Sequence, residues 1–161
     1  RPTRRLRKPR AGRPMDTHTE IDIDAPAEVV FGVLWDVARY PEFLSDVVDA
    51  LVEPADTPDE LRATMEVQLL RVRRYTVHMV AQPPWSIRWT LERGDSLVRN
   101  DGAWLLQPAA DGQGVHVRYE LGIDFALSVP DAVVRKMVDF HLPTMMRQFK
   151  ARAEQVQRQQ V

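Results

Sequence analysis

Residues 24–47, DAPAEVVFGVLWDVARYPEFLSDV, begin as a short apolar helix and stall at Tyr40-Pro41, just before another aromatic, Phe43. The front half reads directly. Asp24 is placed to cap the N-terminus, Pro26 suits a first turn, and Glu28 sits near the positive end of the helix dipole. Val30, Val33, Leu34 and Val37 then fall at helical spacing on one face. Proline disfavours the helical conformation for the residue before it, so the helix should stop near Tyr40. What a broken helix is for depends on the rest of the chain.

Upstream, Thr19, Ile21 and Ile23 alternate with Glu20, Asp22 and Asp24, the pattern of a half-buried strand. Downstream, Val48, Ala50 and Val52 make a weak second strand, ended by the turn-rich EPADTPDE. Strand then follows strand. Ala63, Met65, Val67 and Leu69 share one phase, as do Tyr75, Val77, Met79 and Ala81, and then Trp85, Ile87, Trp89 and Leu91. After GDSLVRNDG, with Asp101-Gly102 read as a turn, Ala103 to Gln107 form a shorter strand. Val115 to Phe125 alternate once more. Pro-Pro, Gly-Asp and Asp-Gly connections suit an antiparallel meander with one apolar and one wet face.

From Pro130 the period changes. Val134, Val138, His141, Met145 and Phe149 form a helical stripe, widened by Val133, Met137 and Leu142. Pro143 lies inside it, lacking an amide and clashing with the carbonyl of Asp139, so the helix should be disturbed over residues 139–143. A twisted sheet with one apolar face needs a cover, and this helix is the element long enough to supply it. The fold class is therefore α+β, with about six or seven strands, two short helices after the first strand and one long C-terminal helix.

Bulk properties agree with a single domain. The chain has 161 residues, 44% hydrophobic and 28% charged, enough for a real core. It has no cysteine, which excludes disulfides, thiolate metal sites and a cysteine nucleophile. No apolar run approaches the roughly 18 residues of a membrane span. The net charge of −1 is unevenly spread. Residues 1–14, RPTRRLRKPRAGRP, carry seven basic and no acidic side chains, leaving 15 basic against 23 acidic residues elsewhere, a formal −8. This arm cannot bury apolar surface and reads as a disordered segment or a non-native leader, with residues 15–161 as the domain. A nucleic-acid or ribosome partner is expected only through that arm, since an acidic body does not grip phosphates.

The stretches IDIDAPAEVVFGVLWDVARYPEFLSDV and VDFHLPTMMRQFKARAE resemble the START-like (SRPBCC, birch-pollen-allergen-like) superfamily, and within it the polyketide cyclase/dehydrase and coenzyme-Q-binding START group. The resemblance covers roughly residues 17 to 155. It implies a helix-grip fold, in which a curved sheet wraps the long helix around a hydrophobic cavity and the two short helices plug one end. Breaking the helix at Tyr40-Pro41 would then fold a second turn back to close that cavity.

On that reading the ligand-facing residues are Tyr40 and Phe43 from the plug, and Met137, His141 and Met145 from the long helix. The sheet would add Met65, Tyr75, Val77, Met79, Ile87, Trp89, Trp104, Tyr119 and Leu121. Trp85 and Met146 belong to the same aromatic and methionine set, although periodicity alone cannot separate lining from solid packing. His78 and His116 fall opposite the apolar face, and Arg71, Arg73 and Arg74 read as a solvated face and turn. No nucleophile elbow, phosphate loop, dinucleotide fingerprint or metal-ligand spacing appears, so no catalytic residue, cofactor or metal is assigned. The expected function is binding of an isoprenoid quinone, lipid or polyketide-like molecule by a carrier or chaperone, cytoplasmic or peripheral at the membrane. The alternative is an aromatase/cyclase acting on a polyketide tethered to an acyl carrier protein. A ribosome-associating regulator is the third reading.

Overall fold

The computed structural model describes residues 15–69 and 71–160, leaving aside the side chains at 69, 71 and 72; the basic arm of residues 1–14 lies outside them. Seven strands form one antiparallel sheet: β1 (Met15–Ile23), β2 (Val47–Pro54), β3 (Glu60–Leu69), β4 (Arg71–Gln82), β5 (Ser86–Gly94), β6 (Leu97–Pro108) and β7 (Val115–Phe125). Their spatial order is β1-β7-β6-β5-β4-β3-β2. The six strands from β2 to β7 are a plain meander, and β1 closes its far edge by pairing with β7 from Met15↔Ile123 to Ile23↔Val115. Alternation carries the inward face: Val115, Val117, Tyr119, Leu121, Ile123 and Phe125 are all buried.

Between β1 and β2 the chain forms α1 (Ala27–Trp35) and a 3₁₀ turn over Val37–Glu42 that contains Pro41. Asp24 does not cap α1. Pro26 is the N-cap residue, its carbonyl accepting from the amides of Val29 and Val30, while the Asp24 amide donates to Glu154. The stall at Tyr40 has a local cause as well as a remote one. Buried Tyr40 donates its hydroxyl to the carbonyl of Leu34, satisfying one of the acceptors that the end of α1 leaves open.

The C-terminal helix comes in three pieces: α2 (Asp131–Lys136), a π turn over Met137–His141, and α3 (Leu142–Gln159). Pro143 has no amide to give Asp139, and the ladder slips just before it: the Leu142 amide donates to the carbonyl of Met137, five residues back. The expected disturbance is thus a π turn. The inward stripe of α3 is Leu142, Met146, Phe149 and Ala153, all buried, whereas α2 buries none of its residues. Lys150 ties α3 to β1 through the carbonyl of Asp22 and also pairs with Glu154.

Two turn assignments differ from the sequence reading. Asp101-Gly102 is no turn but the middle of β6, with Gly102 paired to Trp89. A side chain there would collide with the Glu120 carbonyl and the Trp89 indole, so this glycine marks a close approach within the sheet. Conversely Trp85 lies in the turn before β5, 46% exposed. Gly102→Val should therefore destabilise the protein by about 2–3 kcal/mol through overpacking. Urea unfolding followed by circular dichroism measures this, and an unchanged midpoint would contradict the packing described.

Candidate functional site

The sheet and the C-terminal helix enclose a cavity of about 160 Å³. Its aromatic wall is built from three strands and α3. Trp89 and Tyr119 stack with ring centroids 5.6 Å apart, Trp104 lies 4.5 Å from Tyr119, and the edge of Phe149 meets Trp104 at 5.0 Å. Gly102 is what lets the Trp89 indole lie flat across β6. Met65, Val77, Met79 and Leu121 line the sheet side, and Met137, Leu142 and Met145 line the helix side.

All but two of the residues read from sequence as ligand-facing border this cavity. Ile87 is fully buried packing, away from the lining. Phe43 sits behind Phe149, 5.4 Å between centroids, with the Arg152 guanidinium 5.1 Å over its ring, so it braces α3 rather than facing the cavity. Tyr40 does face it, its ring edge-on to Phe149 at 5.2 Å. Met146 is buried core and likewise off the lining.

The polar lining is sparse and mostly engaged. Trp89 Nε1 donates to Asn100 Oδ1 across 3.1 Å. Gln148 Nε2 donates to Ser45 Oγ at 3.0 Å. His141 Nδ1 lies 2.7 Å from Asp46 Oδ2; a carboxylate accepts, so that nitrogen carries the proton. This contact ties the π turn to the loop that leads into β2. His78 and His116 stay outside, paired with Glu60 and with Glu20 and Asp22. The carboxylates beside His116 hold its pKa above the usual histidine value.

Four polar lining residues escaped the sequence reading: Asp46, Arg73, Asn100 and Gln148. Asn100 is buried and in phase with Trp104 on β6, but taking Asp101-Gly102 as a turn cut the strand short of it. Arg73 is in phase with Tyr75, Val77 and Met79 on β4, so the alternation itself carried the signal. It is half-buried on the lining, and its Nη1 is the buried side-chain polar atom without a hydrogen-bond partner among the described residues. Arg74, one residue on, is exposed and pairs with Glu66 as a solvated face requires. Among the described residues, no group of three or more His, Asp or Glu side chains could hold a metal ion.

A cavity between a curved seven-stranded sheet and a long C-terminal helix defines a helix-grip, START-like ligand-binding fold. Over residues 23–150 the sequence matches the family described as polyketide cyclase / dehydrase and lipid transport, and the chain belongs to that family. Among solved structures it is similar to a START superfamily protein from Mycobacterium smegmatis, with a TM-score of 0.75 and 17% identity over 88% of this chain and 98% of that one. The Zhui aromatase/cyclase from Streptomyces sp. R1128 gives a TM-score of 0.75 and 15% identity, over 88% and 94%. A STAR-related lipid transfer protein from Xanthomonas axonopodis gives 0.69 and 19%, over 86% and 85%. No curated protein matches the sequence.

All three tyrosines of the chain, Tyr40, Tyr75 and Tyr119, border the cavity. Burial pushes Tyr75 up to about 12, a hydrogen bond from Asn100 partly opposing it, and burial raises Tyr40 and Tyr119 too. A phenol raised in the folded state contributes stability below its unfolded value near 10, and that stability is lost as pH climbs past it. The native protein should thus show almost no tyrosinate absorbance at about pH 10.5, where the denatured chain is mostly ionised. A native titration midpoint near 10 would place these hydroxyls in water.

Proposed function

We propose that this chain binds a hydrophobic small molecule in the space between the sheet and α3 and serves as its carrier or chaperone. The observation that carries the reading is the lining itself: six aromatic rings and four methionines around the cavity, with few polar groups and most of those already engaged. Burial of apolar surface at roughly 25 cal/mol per Å² supplies affinity, and a ring can stack on Trp89, Trp104 or Tyr119. A space of 160 Å³ admits a headgroup or one ring, so the tail of a quinone or lipid would run out through the mouth. No helix among the described residues is long and apolar enough to cross a membrane.

The second reading, an aromatase/cyclase acting on a polyketide presented by an acyl carrier protein, draws on the His141–Asp46 pair and on Arg73 beside the cavity. General acid–base chemistry needs a group that exchanges protons at working pH, and an enolate needs a fixed cation. His141→Gln and Tyr119→Phe would abolish turnover in such an enzyme and only weaken binding in a carrier.

Native mass spectrometry of protein purified without detergent, followed by organic extraction, tests the carrier reading. The expected result is an apolar molecule near one per chain. Leu121→Phe and Met145→Trp, which fill the space from opposite sides, should each lower its retention by about tenfold while the fold remains, equivalent to about 1.4 kcal/mol. Retention unaffected by both variants would move the site elsewhere.

A further inference from the structure

Arg73 sets a chemical requirement on the occupant. A guanidinium cannot be neutralised at any pH a protein survives, so it cannot escape burial by losing its charge. Its Nη1 nevertheless lies buried against the cavity without a hydrogen-bond partner among the described residues. Buried charges are normally paired, because an unpaired one forfeits its hydration for nothing. Tyr75, two residues along the same face of β4, offers a phenol beside it. The carboxylate on the lining, Asp46, is held by His141. This leaves the cavity with a cationic pole at the β4 end and an aromatic wall of Trp89, Trp104 and Tyr119.

Size sets a second requirement. A cavity of about 150 Å³ lined by apolar side chains takes a molecule the size of benzene, and this one measures about 160 Å³. A fused multi-ring skeleton or a full acyl chain does not fit within it.

From these two requirements we infer that the occupant is a single-ring organic acid, its ionised carboxylate on Arg73 and its ring against Trp89 and Tyr119. This rests on the reading of the cavity as a ligand site and goes beyond it by fixing both charge and size. The planar fork of Arg73 suits a carboxylate's two oxygens, and a charge-assisted bond discriminates against a neutral isostere. Trp89 and Trp104 report occupancy directly, because both indoles face the cavity.

Quenching of tryptophan fluorescence, checked by calorimetry, tests this with benzoate, cinnamate, methyl benzoate and hexadecanoate as probes. Benzoate or cinnamate should bind the wild-type protein at least tenfold more tightly than the methyl ester, within the roughly ten- to hundredfold that one charge-assisted bond supplies. In Arg73→Gln that preference should fall to near unity while ester affinity holds. Arg73→Met should raise the thermal midpoint of the empty protein, since it removes a half-buried guanidinium whose Nη1 has no partner among the described residues, whereas a purely structural arginine would lower it. Equal binding of acid and ester, or an unchanged preference in Arg73→Gln, overturns the charge assignment while leaving the cavity a ligand site. Tight hexadecanoate binding without benzoate or cinnamate binding overturns the size limit alone. If none of the four probes binds, this assignment falls, and an apolar molecule still recovered by extraction would show that the cavity reading survives it.

Discussion

One helix cannot cover seven strands. At about 4.8 Å per strand the sheet would be about 29 Å wide if flat, against a helix about 10 Å in diameter. Curling the sheet around α3 shortens the mismatch, while α1 packs against α3 and the 3₁₀ turn against β2. Phe149 is where these elements meet: almost fully buried, it packs against Tyr40 and Phe43 from the plug and Trp104 from the sheet. The space left over beside that contact, lined from β3 to β7 and by the long helix, is the cavity. It follows from the geometry of the cover and needs no separate device to create it.

The two halves of the C-terminal helix are held very differently. After Pro143, α3 inserts a continuous stripe from Met146 through Ala153, and Lys150 and Glu154 clip it to β1 and the following loop. Before Pro143, α2 buries nothing. Its docking rests on Met137, Leu142 and the His141–Asp46 contact. A segment with so few buried contacts lies at the low end of local stability. Proline thus divides a half that fixes the fold from one held by few buried contacts, and both border the cavity.

The order of elements and the grip were legible because alternation and the helical stripe are direct records of which face is buried. Where the sequence misled, a contact between distant residues outweighed a local rule. Asp-Gly is a strong turn signal, yet Gly102 serves the Trp89 indole lying across it. Phe43 is aromatic and next to the plug, but Phe149 stands between it and the cavity. Ile87 shares the inward phase of Trp89 and still falls outside the lining, since phase gives the face and not the position along the sheet. Arg73 was in phase throughout. An arginine is so seldom turned inward that composition argued against the pattern, yet Arg73 lies half-buried on the lining.

That asymmetry bears on whether the site performs chemistry. Proton transfer near neutral pH requires a group able to exchange its proton there. Tyr75 is held near 12, and Tyr40 is bonded to the Leu34 carbonyl. Asn100 is engaged by Trp89, and Gln148 by Ser45. Arg73 can hold an anion and never shuttle a proton. Burial raises Tyr119 too, so the case for an enzyme narrows to His141 as the proton-exchanging group, with Asp46 fixing its Nδ1. A carrier asks nothing of that histidine except a firm tie between the π turn and the sheet. An enzyme asks that its second nitrogen meet the reacting atom. The same 2.7 Å contact serves either role, so the distinction lies in what a bound molecule would present to His141.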